Sequence, residues 1–209
     1  MSAIRKELVQ AALNRSFALI DYKIHDNFHK QHEFRQKTIL ADESLTKDEK
    51  TDALRILNKT HDLNKVRLNK GEKRICENCS KECLATLYCE YCVRNYLKAN
   101  FSNWTSGNDN IDNLIRECQM KTLDPEKVVE WIPYNNLQNI KYLTKGGCSK
   151  IYTADWIGGA CYEWDSKKQQ FTREFEFQNV VLKRLENVEN ASQNWLEEVG
   201  NQKYFFKRK

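Results

Sequence analysis

Residues 76–92 read "CENCSKECLATLYCEYC". Two Cys-x2-Cys pairs, Cys76/Cys79 and Cys89/Cys92, stand nine residues apart. A two-residue gap lets one tight turn aim both sulfurs at a single cation, and two such turns complete a tetrahedral site of the structural type. The spacing predicts a small zinc-ribbon-like module over residues 71–100, with structural zinc as its cofactor. "GEKRI" predicts a strand leading in and "VRNYLKANF" a helix leading out. Cys83 is a fifth thiol: a spare, a substitute ligand or a surface cysteine. Two disulfides or a redox pair are the alternatives to zinc. A closed four-cysteine site keeps no open coordination position, so catalysis by the metal is not expected.

The N-terminal stretch "MSAIRKELVQAALNRSFALIDYK" carries charges every few residues. It has neither the apolar core of a secretory signal nor a membrane-spanning run. An intracellular, cytoplasmic location without a membrane partner is the expectation, and there thiols stay reduced. The sequons at Asn14, Asn58, Asn78, Asn103 and Asn190 are then chance matches. With 209 residues, the chain holds one large domain or two small ones. Thirty percent charged residues leave room for solvated helix or linker, while 11% aromatic and only two prolines argue against wholesale disorder. A net charge of +5 is mild for a nucleic-acid binder. Near the cysteines, Glu72, Glu77, Glu82 and Glu90 dilute Lys73, Arg74, Arg94 and Lys98, so nucleic acid ranks last among partners.

Upstream, residues 1–70 read as a helical hairpin. Val9, Leu13, Phe17, Ile20, Ile24 and Phe28 recur at spacings of three or four, one stripe of an amphipathic helix. Thr46 and Glu49 in "DESLTKDEK" fit a capping box that opens a second helix carrying Ala53, Ile56, Leu57, Leu63 and Val66. The stripe is the hairpin's own core or, as the alternative, a surface for a protein partner, because an isolated helix pair buries little. His25, His29 and His32 share a helical face, expected to be solvated.

Downstream, residues 101–138 form a connector. A turn at Ser106-Gly107 precedes a short helix capped near Asn108 or Asp109, and each of the two prolines marks an element edge. Cys118, in that helix, is a core thiol. From Ile140 the pattern alternates as a strand does: "IKYL", the turn "TKGGCSK", then "IYTADWI". Such a glycine tip can approach phosphates with its amides. The stretch "GGACYEWDSKKQQFTREFEFQ" predicts an extended hairpin, followed by the strand "FQNVVLKRL" and a helix at "NWLEEVG".

Residues 139–209 resemble the start of a eukaryotic protein kinase domain. Against the pattern G-x-G-x-x-G-x-V, Thr144 stands at the first glycine, Gly146 at the second, Ser149 at the third and Ile151 at the valine. Gly147 is an extra glycine, and Cys148 occupies the tip where an aromatic is common. Val180-Val181-Leu182-Lys183 matches V-A-I-K, and Glu198 matches the helix glutamate that pairs with this lysine. Together with "CENC…CEYC", "NWTSGN" and "EWIPY", the chain is similar to a large fungal family of kinase-like proteins with a cysteine-rich N-terminal segment. The resemblance implies an α+β architecture ending in a partial kinase N-lobe, an antiparallel sheet plus an αC-like helix. It also implies ATP with Mg at Gly146, Gly147, Ser149, Ile151, Val181, Lys183 and Glu198, with Val181 narrowing the adenine pocket. No H-R-D, D-F-G or A-P-E occurs, so phosphorylation of a protein hydroxyl is implied only for a full-length form. A non-catalytic zinc-stabilised interaction module, working through the hairpin or the zinc module, is the alternative.

Overall fold

Side-chain caps at Asn27 and Thr46 set the starts of two of the three N-terminal helices. The computed structural model describes residues 3–145, 149–173, 176–185 and 204–206. The chain divides into two compact units, Met1–Cys89 and Glu90–Lys209, and it mixes helices with small sheets.

The first unit opens with three helices: α1 Lys6–Ala18, α2 Phe28–Ala41 and α3 Lys47–Leu68. The predicted single helix running through Phe28 is therefore corrected, and the two-helix hairpin becomes three packed helices. Short polar side chains that compete with helical hydrogen bonding cause the break. Asp21 Oδ1 accepts from the amide of Lys23 at 2.9 Å, and Asn27 Oδ1 accepts from the amides of His29 and Lys30, capping α2. The break also divides the apolar stripe. Val9, Leu13 and Ile20 are buried, whereas Phe17 and Ile24 are exposed at 55% and 64%.

The box that opens α3 is complete. Thr46 Oγ1 accepts from the Glu49 amide, and Glu49 Oε2 accepts from the Thr46 amide. Glu49 is buried, and it also takes a two-pronged bond from the Arg5 guanidinium at 2.7 and 2.8 Å. That guanidinium holds its carboxyl well below the usual carboxylate range. One side chain thus caps α3 and ties the start of α1 to it. Val9, Ala12, Leu13, Ile39, Leu45, Ala53 and Leu57 form the apolar core, each large aliphatic group contributing about 1.5–3 kcal/mol on burial.

The expected solvated histidine face is a second correction. His29 and His32 pack against His61 of α3: His29 Nδ1 lies 3.1 Å from His61 Nε2, and the His32 ring stacks on His61 at 3.8 Å. His32 Nε2 also bonds Asn58 Oδ1 at 2.9 Å. Two two-residue strands, β1 Arg74–Ile75 and β2 Glu82–Cys83, pair antiparallel at the end of this unit.

The second unit begins with α4 Glu90–Ala99 and α5 Asp109–Lys121, the latter capped by Asn108 as expected. Asp112 holds the turn before α5, accepting from Thr105 Oγ1 at 2.6 Å and the Ser106 amide at 2.8 Å. Ile115 and Val129, flanked by Trp104, Cys118 and Trp131, make a small core, so residues 101–138 are more than a connector. Both prolines sit at edges of short 3-10 turns. Strand β3, Glu130–Ile132, was not foreseen; it pairs in parallel with β9, Tyr204–Phe206.

Three strands, β4 Leu137–Lys145, β5 Ser149–Ile157 and β8 Phe177–Leu185, form an antiparallel sheet in that order. A second hairpin, β6 Cys161–Asp165 with β7 Gln170–Arg173, is the predicted insertion between β5 and β8. Gly158 and Gly159 both take positive φ (87° and 56°), the conformation a tight turn into β6 requires. One sheet face is apolar: Ala154, Trp156 and Leu182 are buried with Ile132 and Leu137. Glu130 is buried and joins β3 to the hairpin, accepting from the Cys161 amide at 2.7 Å and Arg173 Nη2 at 2.6 Å. Tyr96 of α4 meets Trp164 and Phe171 edge to face, which packs the hairpin on that helix.

The histidine stack makes stability depend on pH. Burial, then the charges of His32, Lys65 and His29, push His61 down to about 4, and burial also lowers His32. The unfolded imidazole titrates near 6.5, so the unfolded state gains the proton first as pH falls. Stability is full above about 6.5, declines through the window down to about 4, and levels off below it; the full His61 shift corresponds to about 3 kcal/mol, which solvent screening of this half-exposed ring reduces. Urea unfolding at pH 7 and pH 5 should show a drop in midpoint that His61→Gln reduces, contributions common to both chains cancelling. Equal drops in the two chains would show that the stack does not resist protonation.

Candidate metal centre

Two knuckles and two polar clamps bring the cysteines together. In the first knuckle, the Ser80 amide donates to Cys76 O at 2.8 Å and the Cys76 amide to Lys81 O at 2.9 Å, with Ser80 at φ 56°. This closes the chain around Cys76 and Cys79 and leads into β2. The second pair straddles the start of α4, and its three-residue spacing keeps Cys92 close to Cys89.

The loop ahead of Cys89 is held from two sides. Asp62 of α3, fully buried, accepts from the Thr86 amide at 2.8 Å, Thr86 Oγ1 at 2.7 Å and the Leu87 amide at 2.8 Å. Lys65, itself 4% exposed, bridges Asp62 at 3.1 Å and balances the buried charge. From the other side, Arg74 of β1 donates to Ala85 O at 2.8 Å and Tyr88 O at 2.7 Å. Asp62 was not a sequence candidate, and Arg74 entered only as one of the basic residues near the cysteines. A charged residue in mid-helix and another in a charged run read as solvated positions; only their distant backbone partners reveal the role.

The ligand atoms of Cys76, Cys79, Cys89 and Cys92 all lie within 4.8 Å of one another. Three of the four residues are buried and Cys79 is half-buried. Cys79 Sγ and Cys89 Sγ are 3.7 Å apart. A Zn–S bond of about 2.3 Å places the corners of a tetrahedron roughly 3.8 Å apart. The sulfurs therefore stand as ligands of one ion stand, too far apart for a disulfide. Cys83 is buried in β2 at 1% exposure and is no member of the cluster, so of its three readings the surface cysteine is excluded and the spare thiol fits. The four cysteines that the spacing singled out are the four that stand together. It could hold a zinc ion in an all-thiolate shell with no vacant position, a scaffold rather than a Lewis acid.

The nucleotide candidates are distributed differently. Gly146, Gly147, Cys148 and Glu198 lie outside the described residues. Ser149 begins β5, and Ile151 pairs across the sheet with Lys183. Thr153 pairs with Val181, which is 68% exposed, and Lys183 is half-buried. Directly opposed residues and alternate residues share a sheet face, so Ile151, Val181 and Lys183 come together on one face, opposite Ala154, Trp156 and Leu182. Among the described residues, no helix is long and apolar enough to cross a membrane. No family model, curated protein or solved structure matches the chain.

Purified chain is expected to carry one zinc ion. Cys89→Ser should lose it and unfold the segment around β1 and β2, whereas Cys83→Ser should keep it. Zinc content by mass spectrometry of the native protein checks both; retention by Cys89→Ser, or loss by Cys83→Ser, would reassign the ligand set.

Proposed function

We propose that residues 139–209 form a kinase-type N-lobe that engages Mg-ATP, carried behind a zinc-stabilised module. The observation that carries this is the register of β5 and β8, which sets Ile151 opposite Lys183 with Val181 two residues away on the same face. In a nucleotide-binding lobe of this type the strand-borne apolar residues clasp the base, and the lysine reaches the phosphates beneath a glycine tip. The antiparallel order β4-β5-β8, with the tip between β4 and β5, supports the same assignment. Gly146, Gly147, Ser149 and Glu198 enter through their sequence positions: the glycine tip over the phosphates, and the glutamate holding Lys183.

The sequence holds no aspartate in an H-R-D or D-F-G setting. The residues present bind and orient a nucleotide but offer neither a base for a hydroxyl nor the usual magnesium ligands. Phosphotransfer to a protein hydroxyl would need those groups in addition. ATP brings the transferable phosphoryl group; this lobe contributes the floor for the base and one cation for the phosphates.

A second proposal, that the chain is a non-catalytic interaction module, has its own support. Phe17, Leu19, Tyr22 and Ile24 are all more than half exposed within one short segment of the helical unit. Grouped apolar exposure of this kind marks partner surfaces.

Calorimetric titration of Mg-ATP into the intact chain separates the two. Saturable binding, weakened about tenfold or more by Lys183→Ala as expected for losing a charge-assisted contact, is the outcome for the kinase-type lobe. No binding by folded, zinc-loaded protein would exclude the nucleotide site and leave the interaction module.

A further inference from the structure

The helical unit contains a cleft of about 330 Å³, within the range of small-ligand pockets. Leu13 and Phe17 of α1, Arg35 of α2, and Ile56, Leu57 and Thr60 of α3 line it. Its walls are mixed: Gln10, Asn14 and Thr60 add neutral polar groups beside the apolar side chains, and Arg35 is the one charge. Arg35 is held in place rather than loose: its Nε donates to Ser16 Oγ at 3.1 Å and its Nη2 to Leu13 O at 3.3 Å. Ser16 is fully buried and donates in turn to Leu13 O at 2.8 Å. The guanidinium also lies over the Phe17 ring, 5.6 Å from its centroid.

Both hydrogen-bond partners of Arg35 are neutral oxygens. No carboxylate among the described residues lies within ion-pair distance of it, and Nη1 has no partner among them. Three other arginines of this unit, Arg5, Arg15 and Arg55, each face a carboxylate, while Arg74 is taken up by the carbonyls of Ala85 and Tyr88. Burial also lowers the Arg35 pKa, with Tyr22 acting in the opposite direction. A half-buried, pre-oriented guanidinium in a cleft with no other charge has the character of a carboxylate receptor, because its fork matches two carboxylate oxygens.

We propose that this cleft binds a small organic acid, its carboxylate on Arg35 and its apolar body against Leu13, Phe17 and Ile56. The site is independent of the zinc cluster and of the nucleotide face. Its ligand is a monocarboxylate with a compact aliphatic or aromatic body, since the cleft offers one cation, an apolar side at Leu13, Phe17 and Ile56, and neutral polar groups from Gln10, Asn14 and Thr60.

The test titrates octanoate and 4-phenylbutyrate into the full chain, beside their uncharged amides. At least one acid should bind saturably in the millimolar range or tighter, with its amide about tenfold weaker or worse. Arg35→Gln should weaken the acid to the level of the amide. Thr60→Trp, a change at the exposed rim, should block both while leaving the circular-dichroism spectrum unaltered. Failure of both acids to saturate at several millimolar would overturn the proposal, as would an amide binding as well as its acid. Should Arg35→Gln not fold, Thr60→Trp decides: undiminished binding by that variant places the ligand elsewhere and refutes the site.

Discussion

Four sulfurs within 4.8 Å of one another form the constraint on which the middle of this protein depends. Thiolates gathered so closely repel unless a shared cation offsets their charge, and neutral thiols would gain little from the arrangement. The elements around them are too short to stand alone: β1 and β2 have two residues each, below the size at which an isolated hairpin is stable in water. A metal bound there would supply the missing cohesion, as it does for small modules that cannot build a sufficient core. The protein then guides the ligands by ordinary means. Asp62 and Lys65 reach out from α3, and Arg74 from β1, to fix the backbone ahead of Cys89.

Much of this was legible because the signals are local. The Cys-x2-Cys spacing names all four cluster residues, the Thr46–Glu49 box names the start of α3, and "FQNVVLKRL" coincides with β8 from end to end. The break between α1 and α2 was missed because the apolar period continues through it. Only the side-chain bonds of Asp21 and Asn27 reveal that the backbone departs from helix there. Asp62, Glu130 and Arg173 were missed for a different reason. Each is a charged residue whose partners lie 24 to 43 positions away, and no periodicity in one sequence encodes such pairs. Strand β3 escaped as well, three residues long and paired with a segment some seventy positions later.

The two sheet faces differ in kind, and that difference bears on function. Trp156, Ala154 and Leu182 are sealed into a core, while Val181 and Phe177 stand exposed on either side of a polar row. Alternation alone fixes which side Ile151 and Lys183 occupy, since a one-residue slip would exchange the faces. The β5–β8 register is unbroken over nine pairs, so this placement is set by the whole strand and not by a single contact. In the helical unit the same logic singles out Arg35, a charge left facing a cleft while its neighbours are paired.

X-ray absorption at the zinc edge of the purified chain tests the central claim most directly. The account requires a first shell of four sulfurs at about 2.3 Å, with no nitrogen or oxygen component. A shell containing light-atom ligands, or protein that folds fully with no metal bound, would contradict the four-cysteine centre and the dependence of the surrounding fold on it.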